Sequence, residues 1–109
     1  MYDKRGEAAS MHPRDAEGFE WDEDNENELW DHKIRPWEVE QVFWNRPVWA
    51  PNKKGRSGDY LMVGKTEGGR RLTIPVKPNA VTRQLRPITG WESSPVDLSK
   101  YGRGKGGSR

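Results

Sequence analysis

Apolar and polar side chains alternate between Tyr60 and Val76 more regularly than anywhere else in the chain. "DYLMVGKT" and "RRLTIPV" flank Glu67-Gly68-Gly69, which predicts two antiparallel strands joined by a tight connection. In the second strand Leu72, Ile74 and Val76 fall on one face, and Arg71, Thr73 and Pro75 on the other. Pro75 has no N–H to donate, which argues against a fully bonded central place. "RQLRPITGW" predicts a further strand with Leu85 and Ile88 turned inward, and "RPVWAP" reads as a short edge strand bounded by prolines.

Helical spacing appears earlier in the chain. In "RPWEVEQVFW" Val39, Val42 and Phe43 recur at i, i+3 and i+4, and Pro36 suits the first helical position. Upstream, "WDEDNENELWDHKI" crowds acids behind Asp22. Asp22 can cap a helix, and carboxylates in a first turn are favoured by the helix dipole, so a helix from about Glu23 to His32 is expected. A calcium loop starting at Asp22 fails: the Gly needed at its sixth position is missing, and Lys33 stands where the closing Glu would be. "GFEW" reads as a short strand and "VDLSKY" as one helical turn. The order predicts an α+β domain with two N-terminal helices on one face of a small, mainly antiparallel sheet.

Composition narrows the picture. Of 109 residues only 31% are hydrophobic and 33% are charged, so the core must be small. One domain is expected over residues 18–101, with a disordered tail at 1–17 and a basic Gly-rich tail at 102–109. Six Trp can each bury a large area; Trp21, Trp30, Trp37 and Trp44 are expected mainly in the core. The absence of Cys excludes disulfides and thiolate metal sites. No apolar run approaches a membrane span, so a soluble, cytoplasmic protein is expected. Charge is divided: residues 1–52 hold 13 Asp and Glu against 6 Lys and Arg, a balance of −7, and residues 53–109 hold 4 against 13, a balance of +9. Such asymmetry points either to a polyanion partner for the basic half or to two halves that face each other.

His32 is the residue best suited to move a proton near neutral pH; it also suits the end of a helix, where the dipole favours it. Arg70, Arg71 and Arg86 can offer planar, two-pronged donors to phosphate, or simply cover a solvated strand face. Alternation turns Arg70 and Arg71 to opposite faces. Lys53, Lys54, Arg56 and Lys65 are candidates for guiding RNA by charge, and Trp49 and Trp91 for stacking on bases.

Several of these anchors together resemble the BrnT family of bacterial toxins, small ribonucleases of type II toxin–antitoxin modules with a RelE-like fold. The matching residues are "FEWD" at 19–22, then Asn25, Leu29, His32, "VEQVFW", "YLMVGKTEGGRRLTIPV" at 60–76 and "RPITG" at 86–90. The resemblance implies metal-independent RNA cleavage without a cofactor, neutralised by a cognate antitoxin of ribbon-helix-helix type. It places His32 on the family's histidine and Arg70 on its Gly-Arg anchor, so His32, Arg70, Arg71 and Arg86 are the expected catalytic group. Where the family continues Ala-Arg, this chain has Gly90-Trp91. That departure implies an alternative, a catalytically degenerate relative that binds RNA or protein.

Overall fold

The computed structural model describes residues 11–53 and 58–101. In chain order the elements are β1 (Gly18–Phe19), α1 (Glu23–Trp30), α2 (Pro36–Trp44), β2 (Val48–Pro51), β3 (Tyr60–Lys65), β4 (Arg71–Asn79), β5 (Gln84–Pro87), β6 (Trp91–Glu92) and α3 (Pro95–Tyr101). The fold is α+β with a mixed sheet. Among the described residues that sheet runs β1-β5-β4-β3-β2, and β6 pairs with the other end of β4. β2, β3, β4 and β5 are antiparallel neighbours, but β1 lies parallel to β5.

The alternation read from β4 sets the layers. Leu72, Ile74 and Val76 are fully buried on the face that meets Leu29, Ile34, Val39 and Val42 from α1, α2 and their connection. Met62 pairs across β3 with Ile74 and joins the same cluster, as does Leu85 of β5. Fully burying a side chain of this size contributes about 1.5–3 kcal/mol before entropy is counted. α1 begins as its acids predict: Asp22 Oδ1 accepts from the Asn25 amide at 3.0 Å, and Asn25 Oδ1 accepts from the Asp22 amide at 2.9 Å. Asn25 is buried, and its side-chain amide donates to the carbonyls of Glu20 and Pro87, both at 2.9 Å. That amide fixes α1 on β5.

Three expectations are corrected. The first concerns the N-terminal tail. Residues 1–10 lie outside the described set, but from Met11 on the chain is bound to the domain. Pro13, in a 3-10 turn, is fully buried; Ala16 is buried; Met11 touches the core cluster. The His12 ring lies 5.4 Å from that of Tyr60 and 6.0 Å from that of Trp49. Periodicity missed this segment because its residues pack singly against remote strands. Removing residues 1–17 is therefore expected to lower the melting temperature by about 8 °C or more, the shift of roughly 2 kcal/mol in a domain this small. A melt within 2 °C of the full chain would return the segment to a tail.

Second, "RQLRPITGW" is not one strand. Its backbone leaves β5 at Pro87, and Trp91 pairs instead with Thr73 on β4. Gly90 lies at the bend, where an added Cβ would sit 2.5 Å from Ile74 Cδ1 and 3.0 Å from Leu29 Cδ2. The core thus fills the space that an alanine methyl would need. Third, Trp30, Trp37 and Trp44 are exposed, at 42%, 58% and 67%. Val39, Val42 and Phe43 take the buried face of α2, and Trp37 and Trp44, seven residues apart, fall on the opposite one.

Candidate functional site

Two surfaces carry the residues of interest. The first is a groove between α1 and the end of β5, lined by Asp24, Asn25, Glu28, Arg86, Ile88 and Thr89. Glu28 is its hinge. One oxygen of Glu28, Oε2, accepts from Thr89 Oγ1 at 2.8 Å and lies 3.7 Å from His32 Nε2. Glu28 and His32 are four apart on the helix and its extension, so their approach follows from helical geometry. A carboxylate beside an imidazole can hold the ring in place for proton transfer. His32 is 42% exposed, so a substrate can reach it.

Arg86 borders the same groove, and its guanidinium is held. Nη1 donates to Asp22 Oδ2 at 2.7 Å and to Glu20 Oε2 at 3.1 Å, and Nη2 reaches Asp22 Oδ1 at 3.3 Å. The Arg86 bonds and the Asn25 amide hold the Asp22 carboxyl below the usual carboxylate range. A phosphate entering this groove meets Arg86 together with Asp22, Asp24 and Glu28.

Arg70 is a clamp. Its Nη1 donates to Glu38 Oε1 at 2.9 Å and to the Lys33 carbonyl at 2.8 Å, and its Nε donates to Glu92 Oε2 at 2.8 Å. One side chain thereby ties the α1–α2 connection, the start of α2 and β6 together. Glu38 in turn accepts from the Arg35 amide at 3.0 Å. Arg70 lies next to the chain that carries His32, but its donors are directed at protein groups.

Arg71 goes to the other side of the sheet, as alternation requires. It is exposed and lies directly across from Lys65. Together with Asn45, Arg46, Thr66, Leu98 and Tyr101 these two line the second surface, a depression of about 330 Å³. Trp91 faces α3 as well: its indole N–H donates to Asp97 Oδ2 at 3.0 Å. The same oxygen accepts from Thr73 Oγ1 at 3.0 Å and from the Ser94 amide at 3.1 Å. Burial works against ionisation of Asp97, but these donors outweigh it and hold the carboxyl below its ordinary range. This cluster satisfies the hydroxyl of fully buried Thr73 and docks α3.

Arg86 and Glu28 therefore line one groove, His32 lies 3.7 Å from the Glu28 carboxylate, Arg70 braces the segment that follows His32, and Arg71 and Lys65 line the other depression while Trp91 bonds to α3. Lys53 is exposed at the end of β2, and Lys54 and Arg56 lie outside the described residues. Glu28, Thr89 and Arg46 were missed from sequence. Glu28 had a signal, its four-residue spacing from His32; the others depend on the tertiary fold. Comparison with family models, with curated proteins and with solved structures found no match. Among the described residues no helix is long and apolar enough to cross a membrane.

Proposed function

We propose that this chain is a BrnT-like ribonuclease of RelE-like fold, acting as the toxin of a type II toxin–antitoxin module and neutralised by a cognate antitoxin. The observation that carries the reading is the Glu28–His32 pair, with Thr89 on the same carboxylate and Arg86 in the same groove. In that scheme His32 takes the proton from a ribose 2′-hydroxyl, which attacks the adjacent phosphate. Glu28 orients the ring. Charge then grows on the phosphorane oxygens, where Arg86 can donate, and the P–O5′ bond breaks as His32 returns its proton to the leaving 5′-oxygen. No step calls on a metal or cofactor.

A second reading is favoured by two observations. Arg70 and Arg86 are both closed by carboxylates, and Trp91, where the family carries Arg, spends its N–H on Asp97. These support a degenerate relative that binds RNA without cutting it. The two readings separate on wild-type protein incubated with total RNA in EDTA, alongside expression in cells lacking an antitoxin. Cleavage with growth arrest supports the enzyme. RNA left intact and cells that keep growing leave only the binding protein.

A further inference from the structure

We propose that the depression beside α3 is a binding site for the sugar-phosphate backbone of single-stranded RNA, with bases stacking on neighbouring aromatic rings. This rests on RNA being the ligand, as in both readings above, but not on cleavage.

The first argument is charge left unmatched. Arg46, Lys65 and Arg71 all line the depression, and no acidic residue does. None of the three forms an ion pair among the described residues, whereas Arg70, Lys77, Arg83 and Arg86 each hold a carboxylate. Lys65 and Arg71 are direct cross-strand partners, so two like charges face each other on β3 and β4. That placement is unfavourable unless an anion joins them.

The second argument is backbone strain. Arg46 has φ 57, in the left-handed region, immediately after α2. Glycine is the usual residue at such a position, and a side chain there costs free energy that glycine avoids. A cation near a helix C-terminus is favoured by the dipole, which accounts for charge at 46. It does not account for Lys65 and Arg71 on the same cavity.

The third argument is shape. Asn45 and Arg46 also line an adjoining groove of about 690 Å³ that contains Phe43, Trp44 and Trp49. Trp44 is 67% exposed, and Tyr101 lines the depression itself. A cationic track with aromatic rings beside it is the arrangement that holds unpaired bases, because guanidinium and ammonium groups take phosphates while rings take base faces. A duplex has no free base faces to offer.

The test is fluorescence anisotropy with a short labelled 2′-O-methyl oligouridylate. Three neutralised phosphates should give a slope of about −2 in log affinity against log salt, or about a 20-fold loss between 50 and 200 mM. The double variant Lys65→Gln/Arg71→Gln should bind at least about tenfold more weakly, with the slope reduced to about −0.7. Trp44→Leu should weaken single-strand binding about tenfold. Arg46→Gly should bind more weakly yet melt about 4 °C higher, since strain is relieved. Lys77→Gln and Arg83→Gln, which are exposed and paired elsewhere, should bind within twofold of wild type. Double-variant affinity within twofold of wild type, or equal affinity for a duplex of the same length, would overturn the site. The probe has no 2′-hydroxyl to attack. Protein that binds it but cleaves no RNA therefore keeps the site and loses the ribonuclease reading, and protein that cleaves while the double variant binds normally does the reverse.

Discussion

His32→Ala is expected to lower RNA cleavage by about 10²–10⁴-fold, the usual contribution of one positioned acid or base. The loss should occur without unfolding. His32 is 42% exposed, lies past the last turn of α1, and its imidazole contributes nothing to the buried cluster. Glu28→Gln should cost less, because the isosteric amide keeps most of the contacts of Glu28 with the ring and with Thr89. The pair therefore predicts an ordering: wild type, then Glu28→Gln, then His32→Ala, with circular dichroism and melting temperature unchanged. Cleavage by His32→Ala at the wild-type rate would move the proton transfer to another group. Tyr60 and Lys65 are the remaining candidates; Tyr60 packs against His12, and Lys65 lies on the α3 face. Lys65 would then join chemistry and RNA binding on that face.

Arg70→Ala is expected to destabilise the domain by about 2–4 kcal/mol, because truncation leaves Glu38, Glu92 and the Lys33 carbonyl without their shared donor. The estimate sits below that for a fully buried pair, since Arg70 is 25% and Glu92 66% exposed; Glu38, at 13%, carries most of the cost. Arg70→Lys should recover only part of it, because one ammonium cannot reach three acceptors arranged for a planar fork. Urea unfolding measures both. A loss under about 0.5 kcal/mol for Arg70→Ala would show the clamp to be a surface pairing of little worth. Any fall in RNA cleavage by this variant should track the unfolded fraction.

The periodic elements were legible because their apolar positions repeat: α2 through Val39, Val42 and Phe43, and β4 through Leu72, Ile74 and Val76. Asp22 announced the start of α1 by its chemistry alone. What escaped had no period. Pro13 and Ala16 each fill a single gap against distant strands. Gly90 redirects the chain because the core already occupies its missing methyl. At the candidate site His32 and Arg86 could be proposed by type, but the sequence held no sign that Glu20 and Asp22 would close on Arg86. Asp22 was read only as the cap of α1, and it serves that cap and Arg86 at once. The tryptophans were misplaced because hydrophobicity was read without its helical angle.

The parallel pairing of β1 with β5 has a kinetic consequence. Gly18 meets Gln84, 66 residues along the chain, whereas β3 and β4 meet across a short turn. Closing the longer loop costs more chain entropy, and the return is a strand of only two residues. The hairpin of β3 and β4 can therefore form early and template the sheet, while the segment from Met11 to Phe19 settles last onto a surface already built. The first described residues to leave the ribosome therefore wait for β5, made near the end of the domain, before β1 has a strand to pair with.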